Sequence, residues 1–159
     1  MEITFRDLHT TDRPILADLL SGVQDFDLDD QVIAIELIDI AIQQPEQTDY
    51  YFQVAADQDD HAVGYACYGP TPLTDGTYDL YWIAVEPAIA GQGIGTMLLK
   101  AVEAEIRRRN GRMVVIETSS NPIYELTRKF YLKNGYVLAE SIPDFYREGE
   151  NRNTYIKRV

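Results

Sequence analysis

Apolar and polar positions change period several times along the chain, and each change marks an element. Ile3 to Arg6 predicts a short strand. Thr11-Asp12-Arg13-Pro14 predicts a helix start, with a capping residue just ahead and a proline in the first turn, and the helix should run to Leu20. Asp25 to Asp30 predicts an acidic loop, and Val32, Ile33, Ile35, Glu36, Ile40 and Ile42 a second helix. Tyr50–Ala55 and Ala62–Tyr68 predict two strands joined by the polar turn Asp57-Gln58-Asp59-Asp60. Tyr78 to Val85, apolar and aromatic between turn-rich breaks, predicts a strand buried on both faces. Within it Asp79, Tyr81 and Ile83 should share one face.

The next segment reads strand, tight glycine loop, helix: Val85-Glu86-Pro87-Ala88-Ile89-Ala90-Gly91-Gln92-Gly93-Ile94-Gly95-Thr96-Met97-Leu98-Leu99. The helix should reach about Arg109, with Leu98, Leu99, Val102 and Ile106 on one face and Asn110-Gly111 ending it. Met113–Glu117 predicts a strand, and Asn121-Pro122 starts a helix that ends near Asn134-Gly135. Tyr136–Ala139 and Thr154–Lys157 predict the last two strands. The order β-α-α-β-β-β-α-β-α-β-β is that of an α/β domain with a mixed sheet.

Composition narrows the functional classes. The chain has 159 residues, ordinary for one domain, and a formal net charge of −12. Such a charge disfavours nucleic acid as a partner and suits either a cationic acceptor such as a polyamine or simple solubility. No apolar run is long enough to cross a bilayer, and Met1 to Asp7 carries no secretion-signal pattern. Cys67 is the one cysteine, so a reducing cytoplasm is the expected setting and no internal disulfide can form. His9 and His61 are far apart, and no Cys/His cluster has metal-ligand spacing.

The glycine loop carries the chemistry. A helix N-terminus offers free N–H groups and a positive dipole end, and glycines let phosphates approach them. No Lys-Ser or Lys-Thr follows, which excludes a P-loop. Counting six from Gly91 reaches Thr96 and from Gly93 reaches Leu98, so the dinucleotide fingerprint fails as well. A loop for the pyrophosphate of coenzyme A is the reading left.

Val85 to Leu99 closely resembles the GNAT motif V-x-P-x-x-[RQ]-G-x-G-[IV]-G-x-x-L-L. Asn121 to Tyr136, ending Phe130-Tyr131-Leu132-Lys133-Asn134-Gly135-Tyr136, resembles the family's F-Y-x-x-x-G-[FY] motif. The element order agrees over nearly the whole chain. The resemblance implies a GNAT fold: a central mixed, mostly antiparallel sheet flanked by about four helices, in one domain spanning residues 1–159. It also implies acetyl-CoA as co-substrate, no metal, and transfer to a primary amine by direct attack in a ternary complex. The acceptor, a small-molecule or protein amine, stays open. The contrasting class is a non-catalytic acyl-CoA-binding sensor or interaction module. A homodimer is compatible with the resemblance.

The resemblance also distributes roles. Ala90, Gly91, Gln92, Gly93, Ile94, Gly95 and Thr96 correspond to the diphosphate loop, although Ala90 stands where the family usually has Arg or Gln, which puts coenzyme affinity in question. Backbone groups of Ile83, Ala84 and Val85 are the expected hold on the pantetheine arm. Tyr131 occupies the position of the general acid for the leaving thiolate. Asn121, Tyr124, Arg128 and Tyr131 would fall on one face of an ideal helix and line the coenzyme arm. For the base, Asp79 and Glu117 compete with each other and with water. Trp82 is read as core.

The acceptor walls implied by the resemblance are roughly Val23–Glu36 and Ile142–Asn151, both acidic and aromatic. Two decoys are set aside. Asp25, Asp27, Asp29 and Glu36 match positions of a calcium loop, but Asp30 stands where glycine is required. Cys67 lies mid-strand with no histidine nearby in sequence, which suits a buried thiol better than a nucleophile.

Overall fold

The computed structural model describes all 159 residues. Seven strands form one sheet in the order β1-β2-β3-β4-β5-β7-β6. They are β1 (Thr4–Arg6), β2 (Tyr51–Ala56), β3 (Ala62–Pro70), β4 (Thr77–Val85), β5 (Met113–Ser119), β6 (Val137–Arg147) and β7 (Glu150–Arg158). The helices are α1 (Asp12–Ser21), α2 (Leu28–Gln43), α3 (Ile94–Arg108) and α4 (Glu125–Lys133). Element order and fold class follow the sequence reading, and every neighbouring pair except β4–β5 is antiparallel.

Each face of the sheet carries two helices over its own core. On one face, Ile94, Leu98, Leu99, Val102 and Ile106 of α3 and Tyr131 of α4 pack on Ala66, Tyr68, Leu80, Val114 and Ile116. On the other, Leu16, Leu19 and Leu20 of α1 and Ala34, Leu37 and Ile38 of α2 cover Val54, Tyr65 and Cys67. Burying one such Leu or Ile side chain stabilises the fold by ~1.5–3 kcal/mol.

Several local expectations change. Thr11 makes no side-chain cap; instead the Asp12 carboxylate accepts the His9 N–H at 2.8 Å. α2 starts within the expected acidic loop, because Asp27 and Asp30 form a reciprocal capping box. At the end of α3 it is Asn110 that takes the positive φ of 63°. Gly111 is held to glycine by space, since a Cβ there would meet Ile106 Cγ2 at 2.3 Å. The strand buried on both faces is β3, whereas β4 alternates and leaves Tyr81 38% exposed. The expected loop at 142–151 is the tip of a long β6–β7 hairpin turning at Glu148-Gly149.

Two features of β4 build the site. A bulge at Tyr81 leaves it without a partner, since Leu80 pairs with Tyr68 and Trp82 with Cys67. Side-chain parity therefore reverses there: Tyr78 and Leu80 belong to the α3/α4 core, Trp82 and Ala84 to the α1/α2 core, and Ile83 returns to the α3/α4 side. Asp79 and Tyr81 consequently do not share a face with Ile83. In addition, the parallel β4–β5 ladder is only Thr77↔Met113, Tyr78↔Val114 and Asp79↔Val115. Beyond Asp79 the strands part, and β5 stays paired only with β7.

Candidate active site

Where β4 and β5 part, the sheet opens into a cleft of about 620 Å³. Its walls come from the α1–α2 loop and α2 (Phe26, Asp27, Asp30, Ile33), from β4 (Asp79 to Ile83), from β5 (Val115, Glu117, Thr118, Ser119), from α4, and from the β6–β7 hairpin (Tyr146, Arg147, Glu150). Of the residues expected at the site, Asp79, Glu117, Ile83, Tyr124 and Tyr131 all line it.

Tyr131 reaches the cleft from the α3/α4 side of the sheet, packed against Phe130, Tyr136 and Tyr155. It is 6% exposed, and burial pushes its phenol above the ordinary range, so the hydroxyl stays protonated. That hydroxyl makes no hydrogen bond to the protein although the residue lines the cleft. The hydroxyl is therefore free to bond a group that enters the cleft.

The carboxylates enter from the opposite face. Val114 and Ile116 pack in the α3/α4 core, so the alternation of β5 turns Glu117 the other way. Asp79 accepts a hydrogen bond from Thr71 Oγ1 at 2.7 Å and has no cationic partner. Glu117 is held by Arg152 at 3.2 Å and accepts the Tyr146 hydroxyl at 3.4 Å. Burial, with Glu117 adding, pushes the Tyr146 phenol up to about 12. Both sequence candidates for a base thus meet in one cleft, in unequal surroundings.

The glycine loop lies at the start of α3. A 3-10 turn, Pro87–Ile89, leads into it, and Gly93 caps the helix with φ +82°. Gly91 has φ +84°, and a Cβ added to either would meet nothing within 4 Å. The backbone is therefore left-handed and bare on the side where a ligand approaches. The first helical bond of α3 runs from Met97 N–H to the Gly93 carbonyl at 3.1 Å, so the N–H groups of Ile94, Gly95 and Thr96 are the free donors of the first turn. Gly95 packs on the Phe130 ring, 3.5 Å from its ideal Cβ, and so couples this loop to α4. These features fit a diphosphate.

The segment expected to be one helix from Asn121 is broken. Pro122–Tyr124 is a 3-10 turn and α4 begins at Glu125, so Asn121, Tyr124, Arg128 and Tyr131 do not share a helical face. Asn121 Oδ1 caps that turn by accepting Ile123 N–H at 3.0 Å. Arg128 Nη1 donates to the carbonyls of Ser119 and Asn121 at 2.7 and 2.8 Å, fixing the loop after β5. Tyr124 and Thr127 strap the α1–α2 loop to α4: the Tyr124 hydroxyl donates to the Asp25 carbonyl at 3.1 Å and Thr127 Oγ1 to Asp25 Oδ2 at 3.0 Å.

Sequence reading missed part of the lining. Trp82 was expected in the core, and it does pack on the α1/α2 core, but it also lines the cleft edge-on to Phe26 at 5.0 Å, with its buried Nε1 unpartnered. The bulge that places it had no local signal. Asp30, half-buried, has a carboxyl raised by burial, with Asp27 and Asp29 adding to the effect against the opposing Asp27 N–H.

An α/β sheet split between parallel strands, with a glycine-capped helix on one side and an acidic cleft on the other, defines a group-transfer domain. Residues 48–138 match the model of the acetyltransferase (GNAT) domain, and the chain belongs to that family. A protein from Desulfovibrio desulfuricans described as an acetyltransferase of the GNAT family is 35% identical, covers 99% of both chains and superposes with a TM-score of 0.95. An uncharacterized N-acetyltransferase of Methanocaldococcus jannaschii is 34% identical over 77 residues. That match covers 48% of this chain and 48% of the relative, so it spans about half the length of the curated relative. An aminoglycoside 6'-N-acetyltransferase complexed with coenzyme A shares the fold at 22% identity, with a TM-score of 0.74 over 99% of this chain and 97% of that one. No helix is long and apolar enough to cross a membrane.

Proposed function

We propose that this protein transfers acetyl from acetyl-CoA to an acceptor amine by direct attack within a ternary complex. The observation that carries the reading is Tyr131, a residue buried against the α3/α4 core whose unpartnered hydroxyl belongs to the wall of the cleft where β4 and β5 part. Through that gap the glycine-loop side of the sheet communicates with the carboxylate side.

Acetyl-CoA, when bound, supplies an activated thioester. The free N–H groups of Ile94, Gly95 and Thr96 hold its diphosphate, and Gly91 and Gly93 allow the approach. Ala90 adds only backbone, so the loop lacks the side-chain contact that most of the family has. The stretch Ile83–Val85 of β4, paired with β3 on one edge and left without a strand partner on the β5 edge, offers N–H and C=O groups to the arm. Asn121, Tyr124 and Arg128 shape the neighbouring wall through their own hydrogen bonds.

A lysine-like amine, with a pKa near ~10.4, is neutral in only roughly one molecule in a few thousand at pH 7. Asp79 accepts its proton, leaving the lone pair free to attack. Asp79 suits this better than Glu117, because Glu117 is already engaged by Arg152 and the Tyr146 hydroxyl while Asp79 has no cationic partner. As the C–N bond forms and the C–S bond breaks, the Tyr131 hydroxyl gives its proton to the leaving sulfur. The phenolate is then reprotonated by the proton that the new amide nitrogen sheds. Holding both reactants in one cleft contributes the larger part of the acceleration.

Tyr131→Phe tests this. The general-acid contribution is ~10²–10⁴-fold, so kcat should fall by about that factor while acetyl-CoA affinity stays within about threefold. An unchanged rate removes Tyr131 from the mechanism. Acetyl-CoA at a hundredfold excess over Kd should also stabilise the fold by ~2.7 kcal/mol, read as a rise in the unfolding midpoint.

A further inference from the structure

The charges of the cleft divide by wall. On the β5–β7 side they are compensated: Glu117 pairs with Arg152 at 3.2 Å and Glu150 with Arg147 at 2.8 Å. On the α2 side they are not. No Lys or Arg comes within 4.0 Å of Asp25, Asp27, Asp30 or Asp79. Asp79 is placed to take the reacting amine's proton, and Asp25 is occupied by Thr127. Asp27 and Asp30 remain.

Capping accounts for only half of each carboxylate. Asp27 Oδ1 accepts the Asp30 N–H at 2.8 Å, and Asp30 Oδ2 accepts the Asp27 N–H at 3.2 Å. The second oxygen of each makes no hydrogen bond and stands in a cleft also lined by the Phe26, Trp82, Tyr124 and Tyr146 rings. Carboxylates beside aromatic faces attract ammonium groups. An independent observation marks the same cleft as a ligand site: the Tyr131 hydroxyl, on a residue 6% exposed, faces it from the α4 wall without a partner.

We propose that the cleft selects a small di- or polyamine, with Asp27 and Asp30 as the specificity-determining groups that hold a second ammonium while the first is acetylated. This rests on the acetyl-transfer reading above. A cleft of about 620 Å³ suits an acceptor of that size.

The test uses 1,4-diaminobutane and spermidine against butylamine, which has one amine only. The D27N/D30N double variant keeps the oxygens that cap α2, because Asn is as good a cap as Asp, and removes both charges. Asp29→Asn is the control: it removes one charge from the same turn but lies outside the cleft lining. The native protein should favour the diamine over butylamine by about tenfold or more in kcat/KM, the worth of one hydrogen bond to a charged group. In the double variant the ratio of the diamine constant to the butylamine constant should collapse toward one, and Asp29→Asn should keep it. No preference in the native protein, a preference that survives in D27N/D30N, or an equal loss in Asp29→Asn overturns the proposal. Titrating 1,4-diaminobutane into the CoA-loaded protein separates the two readings. Binding that is lost in D27N/D30N, without turnover of any amine, upholds charge selection and sinks acetyl transfer. No heat of binding at millimolar diamine sinks charge selection even if butylamine is acetylated.

Discussion

Two glycines with the same backbone demand should respond differently to the same methyl group. Gly93, capping α3, and Gly149, turning the β6–β7 hairpin, have φ of +82° and +83°, and a Cβ on either meets nothing within 4 Å. Alanine at each therefore bears only the left-handed penalty of ~1–2 kcal/mol, which is a loss of roughly 2–8 °C in Tm for a domain of this size. At Gly93 the methyl also stands beside the free N–H groups of Ile94 to Thr96. Losing one hydrogen bond from that turn to a phosphate costs ~1.5–3 kcal/mol, or about 10- to 150-fold in Kd. Scanning calorimetry gives the first quantity and isothermal titration with acetyl-CoA the second. Both variants should lose similar stability, and only Gly93→Ala should lose affinity. If Gly93→Ala binds acetyl-CoA as tightly as the native protein, the loop is a turn and not a phosphate site. If Gly149→Ala loses as much affinity, the effect is propagated strain.

Three further outcomes follow from packing and charge. Glu103, 3% exposed, receives the Tyr136 hydroxyl at 2.9 Å and Lys157 Nζ at 2.9 and 3.1 Å. Lys157→Met should thus cost ~2–4 kcal/mol by urea unfolding, somewhat less than for a fully buried pair because Lys157 is partly exposed; a loss under ~1 kcal/mol would show that Glu103 needs no counter-charge. Burial opposes the charge of Asp12, but the Arg6 guanidinium and the His9 N–H outweigh it and hold the carboxyl below its usual range. The pairing is therefore complete above the unfolded value of ~3.9 and fades as pH falls through the lower folded value, so Asp12→Asn should flatten the acid limb of the stability curve; an unaltered limb assigns it to other carboxylates. Thr127→Val removes the hydroxyl that straps Asp25; proteolysis within the α1–α2 loop should accelerate while the global Tm changes little, and unchanged cleavage would show that the strap holds nothing.

Much of this fold is legible because its elements satisfy one periodicity each. The face of α3 carrying Leu98, Leu99, Val102 and Ile106 and the buried runs of β2 and β3 declare themselves locally. So does the glycine loop, whose positive φ at Gly91 and Gly93 demands the residue type seen. What stays hidden is decided by partners distant in sequence. β6 is exposed along nearly its whole length, so no alternation betrays its extent, and only pairing with β7 makes it a strand. The start of α2 is masked because its capping aspartates look like loop residues. Tyr131 is singled out by its motif, and it lines the cleft. That Glu117 is tied to Arg152 while Asp79 is not depends on where β5 meets β7, a register that no local pattern encodes.

The bulge at Tyr81 decides what a change in chain length does to β4. It reverses which side of the sheet β4 addresses by the presence of one extra residue, not by the kind of residue present. A series of substitutions can tune the lining but cannot move Trp82 and Ala84 to the other core, because alternation is a matter of counting. Only an insertion or deletion that the bulge does not absorb does that. Removing Tyr81 would restore a regular strand and leave Leu80, Ile83 and Val85 facing α3 and α4 and Trp82 and Ala84 facing α1 and α2, because Leu80 and Trp82 already pair with the consecutive residues Tyr68 and Cys67. The bulge is therefore a way of adding one residue to β4 while the side chains on either side of it keep their own cores.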